Sequence, residues 1–463
     1  MIKAVVGAGG KTSLVHKLAE EYRRQGKKVF VTTSTHMLIE EDTVVSGDTD
    51  EIIEVLEKTG YVMAGTSEGR KISTLPVDVY EKICPYADVV LIEADGSRQL
   101  PFKFPNDTEP VIYDNVDEII IVAGLHGLGE QAKDVVHRLE LAKKHISISD
   151  QQIMTPVEVQ ELIKVGYQER LSREYPNKKL SIKITHNDSL YQKVIAKMLE
   201  EKIDVSLIKE EWFEPQPELI ICGAGHVARE LAKIASCLDF HIKVIDDREE
   251  FANKDNIPWA DEVICDSFEH LEKHLDNHGY YVVVTRGHQA DFECVNTIMK
   301  YSYQYLGMIG SKKKVAASVE LLRQAGISEE KIATLHAPIG LDIKANTPAE
   351  IAISILAEII MEKNKKCSSF VSRELLNVPE KGTLCIIVEK KGSAPRGTGS
   401  MMFVTENRTI DSIGGGPVEA AAIRDARNTE GVVVRDYHLN NTESAELGMI
   451  CGGSNKVLFI PIK

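Results

Sequence analysis

Apolar and polar positions follow two periods along this chain. Short apolar runs of strand length (IKAVV at the start, then KKVFVTT, DVVLIEA and DEIIIVAG) are separated by stretches with apolar residues at helical spacing, the first from Lys11 to Gln25 and closed by Gly26. This alternation predicts a mostly parallel sheet covered by helices. The acidic, proline-bearing stretch EEWFEPQPE around Pro215 and Pro217 interrupts it, and LIICGAGHVARELAKIA then opens a fresh strand, loop and helix. A domain boundary is therefore placed near residue 214.

A second α/β set follows, with strands HIKVIDD and YYVVVTR and a closing helix from Ala349 to Met361. Its start is marked by Thr347 as N-cap, Pro348 in the first turn and Glu350 as the reciprocal partner. Beyond the polar EKNKKCSS the pattern shortens to strands TLCIIVE, SMMFVT, GVVVRDYHL and KVLFIPI. A small strand-rich α+β domain is expected there. At 463 residues the chain has room for three domains, each with its own core. They are placed at residues 1–213, 218–363 and 370–463.

Charge and cysteine content narrow the class. The 55 Lys plus Arg against 70 Asp plus Glu leave a net charge of −15, which favours solubility, argues against nonspecific nucleic-acid binding and still permits a local basic pocket. Eight cysteines are scattered without a C-x-x-C pair, as suits a reducing compartment. The opening MIKAVVGAGGKTS has no basic leader before an apolar core, and the longest apolar-looking helix, Ile351 to Met361, is interrupted by Glu358 and too short to span a bilayer. The expectation is a cytoplasmic protein without a membrane or nucleic-acid partner.

Three constellations carry chemistry. Gly7, Gly9 and Gly10 stand between a predicted strand and helix, followed by Lys11 and Thr12. In that setting backbone N–H groups wrap a phosphate, the ammonium reaches its outer oxygens and the hydroxyl can hold Mg²⁺. The full G-x-x-x-x-G-K-[ST] spacing would need glycine where Val5 stands, so the loop is shorter than usual; the plain alternative is a glycine turn with a solvated lysine. Glu93 and Asp95 end an apolar strand, where a carboxylate could hold Mg²⁺. Asp95, taken with Thr12 as metal ligand and as a catalytic residue, could equally be a turn residue before Gly96. Thr32 to His36 add hydroxyls near the expected nucleotide, or cap a following helix.

GAGGKTS, VTTSTHM, LIEADGS, EPVI at 109–112 and VHRLE at 136–140 together resemble the YqeC family, accessory proteins of selenium-dependent molybdenum hydroxylases. The resemblance covers residues 1 to about 210 and implies a P-loop-like nucleotide-binding domain, with nucleotide triphosphate and Mg²⁺ as candidate ligands and NTP hydrolysis or nucleotidyl transfer as candidate activities. His186, in ITHND, stands where guanine-reading loops carry lysine, so GTP is not singled out.

In the second constellation Gly223, Gly225 and Ala228 form G-x-G-x-x-A between strand and helix, with Asp246 at the end of the next strand. A dinucleotide could rest its pyrophosphate on that helix and its ribose on the acid, which would make NAD(P) a ligand. His226, and His288 at the end of TRGH, are candidate proton donors or ligands, or satisfied structural groups. Ser311 and Lys312 in GMIGSKKK form an anion seat or a solvated helix start. GAGHVARELA, VIDDR, VTRGH, YLGMIGSKKK and APIGLDIKANTPAEIAISILAEI closely resemble the Rossmann domain of the XdhC/CoxI family over residues 218 to 362.

The third constellation, GSAPR, SIGGGPVEA and ELGMICGG, gathers Arg396, Gly415, Glu419 and Cys451 among glycines. The glycines admit close backbone approach to a ligand, or mark hairpins; Arg396 could clamp an anion. These runs resemble the other XdhC/CoxI domain, which in the family usually precedes the Rossmann unit. The family often has cysteine where Pro417 stands, leaving Cys451 as the candidate catalytic thiol. The expected fold class is thus α/β: a P-loop-like parallel-sheet domain, a Rossmann-like domain, then the strand-rich α+β domain.

The XdhC resemblance implies a chaperone that binds molybdenum cofactor, assists its sulfuration or selenation and delivers it to an apo-hydroxylase of the xanthine dehydrogenase type. A cysteine desulfurase or selenium donor would be a further partner, and a homo-oligomer is allowed. An NAD(P)-dependent oxidoreductase using the Rossmann unit and a non-catalytic docking scaffold stay open as alternatives.

Overall fold

A computed structural model describes residues 1–238, 240–365, 370–377, 381–392, 396–438 and 453–462. The chain forms two compact units. One holds Met1–Ile208 with 428–434 and 458–463; the other holds Lys209–Arg427 with 435–457.

In the first unit six strands form a parallel sheet: β1 (Ile2–Gly7), β2 (Val29–Thr33), β3 (Tyr61–Met63), β4 (Val89–Glu93), β5 (Glu118–Gly124) and β6 (Lys179–Thr185), in the order β6-β5-β1-β4-β2-β3. β2, β4 and β5 are buried at every position, which is why they read as unbroken apolar runs rather than alternating ones. Helix α1 (Lys11–Arg24) lays Leu14, Val15, Leu18, Ala19 and Tyr22 against Val29, Val31, Val89 and Leu91. Arg23 and Arg24 end it, favourably placed for the negative end of its dipole. Because β1 lies between β4 and β5, the loop leaving β1 meets the loops that follow both neighbours.

In the second unit β7 (Glu218–Cys222), β8 (His241–Asp246), β9 (Glu262–Cys265), β10 (Tyr280–Val283) and β11 (Tyr305–Met308) are all parallel, in the order β9-β8-β7-β10-β11. The order reverses between β7 and β10, the point where such sheets open a crevice at their carboxyl ends. Helices α2 (His226–Ala235), α3 (His288–Ile298) and α4 (Lys312–Gln324) each start there. The closing helix α5 (Pro348–Lys363) begins with Thr347 as N-cap and Glu350 completing the capping box, and packs Ala352, Ile355 and Ile359 in one core with Ala228, Leu231 and Ala235 of α2.

The C-terminal sheet comprises β12 (Gly382–Lys391), β13 (Met401–Val404), β14 (Thr409–Asp411), β15 (Val433–His438) and β16 (Ser454–Ile462), in the order β14-β13-β12-β16-β15, with helix α6 (Gly416–Arg427) between β14 and β15. β12, β13 and β14 pair antiparallel. Among the described residues no helix is long and apolar enough to cross a membrane.

Candidate functional site

The loop after β1 turns through three left-handed glycines, Gly7 (φ 97°), Gly9 (φ 72°) and Gly10 (φ 116°). Gly9 is required twice over, because a Cβ there would also lie 2.5 Å from Gly124 N and 2.6 Å from Pro101 O. Ala8 N–H donates to Val122 O (3.0 Å) and Gly9 N–H to Leu100 O (3.1 Å), which fastens the loop to its neighbours. Gly10 caps α1 without a side chain. The first-turn N–H groups of α1 therefore remain available to an anion.

Those groups open into a cleft of about 830 Å³ that Gly9, Gly10, Lys11, Thr12 and Glu93 help to line. Lys11 Nζ donates to Gly7 O (2.8 Å) and to Ser97 Oγ (3.2 Å). Thr12 Oγ1 donates to Glu93 Oε2 (2.8 Å). Burial pushes the Lys11 ammonium below its ordinary value, opposed by the charges of Glu93 and Asp95, and pushes the Glu93 carboxyl up, opposed by Lys11 and the Thr12 hydrogen bond. Hydroxyl and carboxylate are the hard oxygen donors Mg²⁺ takes when phosphates and water complete its shell. Thr12 and Glu93 fit that ion; among the described residues no group of three His, Cys, Asp or Glu forms a fuller cage.

Asp95, expected to hold Mg²⁺, lies beneath the loop with a fully buried side chain. Its Oδ2 accepts from Gly7 N (3.2 Å) and Tyr167 OH (2.8 Å), while its Oδ1 pairs with Lys103 Nζ. With both oxygens committed, Asp95 supports the loop, and of the two carboxylates at the end of β4 Glu93 is the one that lines the cleft. Burial first, then the Asp95 charge, keeps the Tyr167 phenol protonated. Tyr167 lies in a π-helical turn, Lys164–Gln168, a feature frequent near functional sites. Lys103 also reaches Glu109, which Arg138 holds at 2.7 Å. Burial would raise the Glu109 carboxyl, but the hydrogen bonds from Arg138 and Lys103 prevail and bring it to about 2.

The rest of the cleft comes from residues far apart in sequence. His36, Lys71, Arg98, His126, His137, Arg138 and His186 all line it. In a chain of net charge −15, four of the lining residues, Lys11, Lys71, Arg98 and Arg138, are cations against the two carboxylates Glu93 and Glu109. His126 and His186 lie with ring centroids 4.1 Å apart; burial, then the His186 charge, lowers the His126 pKa.

In the second unit Gly223 (φ 113°) turns the chain after β7 where a Cβ would meet Val284 O at 2.5 Å. Gly225, the N-cap of α2 at φ −77°, has open space around it. Asp246 does not present a free carboxylate for a ribose. Oδ2 accepts from Ala224 N (2.7 Å) and both oxygens take 2.8 Å hydrogen bonds from Arg248. Burial would raise its pKa, but Arg248 and the Ala224 N–H outweigh it and lower it. His226, His288, Ser311 and Lys312 are exposed at the starts of α2, α3 and α4. Ser311 caps α4, and His288 Nδ1 lies 3.4 Å from Ser318 Oγ.

In the C-terminal module Glu419 accepts from Ser412 Oγ (2.5 Å), Ile413 N (2.9 Å) and Gly415 N (3.0 Å), so it holds the glycine turn in shape. Arg396 is exposed. Cys451 lies outside the described residues.

Comparison with known families now divides the chain. Residues 3–140 match the family model of the YqeC protein, residues 219–359 that of the XdhC Rossmann domain and residues 375–437 that of the XdhC and CoxI family. The chain joins a YqeC-like segment to XdhC-like segments. The YqeC-like segment carries the glycine loop after β1, Glu93 and the Arg98, His137 and Arg138 side of the cleft, and the Rossmann match spans the reversed sheet order of β7 and β10. Among relatives, the uncharacterized protein YqeB of Escherichia coli (strain K12) is 38% identical over 150 residues, 32% of this chain and 28% of its own. The uncharacterized protein YqeC of the same organism is 35% identical over 144 residues, 29% of this chain and 56% of its own. A Bacillus subtilis (strain 168) protein, described as a probable xanthine dehydrogenase subunit, is 30% identical over 154 residues, 33% of this chain and 44% of its own. The chain thus spans between about a quarter and somewhat over half of these relatives' lengths.

Proposed function

We propose that this chain is an accessory protein for maturation of molybdenum hydroxylases of the xanthine dehydrogenase type, acting in the cytoplasm. The observation that carries the reading is the succession of YqeC-like and XdhC-like segments in one chain, with a B. subtilis relative named as a probable xanthine dehydrogenase subunit. The XdhC-like modules would bind molybdenum cofactor as cargo, assist its sulfuration or selenation with a desulfurase or selenium donor, and deliver it to the apo-enzyme. Gly225, Ser311, Lys312 and Arg396 would meet its anionic groups and Cys451 the incoming chalcogen. The YqeC-like unit would bind a nucleotide triphosphate, with phosphates on the start of α1 and Lys11, and Mg²⁺ on Thr12 and Glu93. The metal would neutralise phosphate charge, while Asp95 and Tyr167 hold the loop beneath it.

The test is reconstitution: molybdenum cofactor prepared without oxygen, an apo-hydroxylase and this chain, compared with its Lys11→Ala and Cys451→Ser variants. Tight cofactor binding and hydroxylase activation, both weakened in Cys451→Ser, support the chaperone. Activation that survives both substitutions indicates a docking scaffold. Failure to bind cofactor where a known acceptor binds it overturns the reading. The sheet order and the Gly223 turn also favour a nicotinamide-dependent oxidoreductase, while the Asp246–Arg248 pairing speaks against it; tight NAD(P) binding with substrate-dependent reduction would decide for it.

A further inference from the structure

One side of the cleft is left unused by the nucleotide reading. Ser97, which accepts from Lys11, is followed by Arg98, and Arg98 and Arg138 both add their charge at His137. Arg98, His137 and Arg138 line the same cleft as the glycine loop. Burial, reinforced by Lys103, Arg138 and Arg98, brings the His137 pKa down to about 4, so at neutral pH an uncharged imidazole lines the cleft together with two guanidinium groups. Arg138 is tied to Glu109 at 2.7 Å, whereas Arg98 is exposed.

The backbone singles out the same wall. Seven non-glycine residues have positive φ among the described residues, and four of them, Arg98 (51°), Gln99 (64°), Arg138 (63°) and His186 (54°), line this one cleft. Such conformations cost about 1–2 kcal/mol each and persist where the surroundings enforce them. The two lining carboxylates are already engaged, Glu93 with Thr12 and Glu109 with Lys103 and Arg138. Of the two guanidiniums on this wall, Arg138 is bonded to Glu109 through Nη1, and the charge of Arg98 is thus left for a ligand. At about 830 Å³ the cleft lies within the range of small-molecule and cofactor sites.

We propose that Arg98, His137 and Arg138 form a subsite for a second substrate, a phosphate-bearing co-substrate that sits opposite the nucleotide. The proposal rests on the reading of the loop as the nucleotide seat. Guanidinium forks match phosphate oxygens in pairs, and two of them suit a dianionic phosphate better than a singly charged carboxylate. A neutral imidazole adds a hydrogen bond without the desolvation cost of a third cation.

The experiment titrates the full chain, saturated with Mg²⁺ and a non-hydrolysable ATP analogue, with phenyl phosphate in a calorimeter. Asparagine tolerates a left-handed backbone, so Arg98→Asn removes the charge and leaves the turn. It should weaken phenyl phosphate binding about tenfold or more, as loss of a charged hydrogen bond does, and change analogue affinity less than about twofold. His137→Gln should weaken phenyl phosphate binding as well. No phenyl phosphate binding to the loaded wild-type chain, or an equal loss of analogue and phenyl phosphate in Arg98→Asn, overturns the second subsite. Unchanged analogue affinity in Lys11→Ala overturns the nucleotide reading instead, so the two failures are distinguishable.

Discussion

Thr12 Oγ1 donates to Glu93 Oε2 across 2.8 Å, joining the first turn of α1 to the last residue of β4. The contact closes 81 residues of chain. It places a hydroxyl and a carboxylate side by side under the open N–H groups of the helix.

Removing either oxygen should uncouple metal from nucleotide. Thr12→Val and Glu93→Gln are each expected to weaken Mg²⁺-dependent ATP-analogue binding by about tenfold or more, with little change in binding measured in EDTA. Calorimetry with and without Mg²⁺ checks this. Equal losses in both conditions would assign the pair to folding rather than to metal.

The two glycines of the Rossmann turn should behave oppositely. Gly223→Ala forces a Cβ to 2.5 Å from Val284 O at φ 113°, and a cost of about 2 kcal/mol or more is expected. Gly225→Ala meets open space at φ −77° and should shift stability by less than about 0.5 kcal/mol. Urea unfolding of the two variants decides it.

Beneath the glycine loop after β1, Lys103→Met would leave the fully buried Asp95 without its cation. A loss of about 3–5 kcal/mol is expected for a broken buried pair. Tyr167→Phe removes one hydrogen bond to Asp95 and should cost about 1–3 kcal/mol. Chemical denaturation reads both, and a Lys103→Met chain as stable as wild type would show that Asp95 is not charged in the fold.

Acid should destabilise the fold in two windows. His137 is lowered to about 4 in the fold from 6.5. Its contribution is complete above about 6.5 and is lost as pH falls toward 4, because the unfolded chain takes up the proton first. Glu109 is lowered to about 2 from 4.5, so its contribution is complete above about 4.5 and is lost as pH falls through 2. His137→Gln should flatten the stability profile in the upper window and Glu109→Gln in the lower one. A His137→Gln profile that still falls between pH 6.5 and 4 as steeply as wild type would contradict the His137 assignment.

Much of the site was legible locally. Strand, glycine turn and helix are consecutive, so Lys11 and Thr12 could be placed on the first turn of α1 from spacing alone, and the capping box at Thr347 and Glu350 could be placed in the same way. Choosing between Glu93 and Asp95 was not a local matter. Both end one strand, and what separates them is Lys103 and Tyr167 filling the space around Asp95. Arg98, His137 and Arg138 sat in motifs whose resemblance was visible, LIEADGS with its following arginine and VHRLE, yet nothing in either motif states that they face one cleft.

By itself the sequence determined the alternation of strand and helix, the glycines a left-handed turn demands and the family of each segment, because these depend on neighbours a few residues apart. Tertiary structure decided which charges are spent and which are free. Asp95 and Asp246 are neutralised by Lys103 and Arg248, while cationic Arg98 remains exposed on the cleft wall. The reason is physical: a charged side chain buried in the fold must find a counter-charge or hydrogen bonds, and for Asp95 part of that partnership comes from Tyr167, 72 residues away.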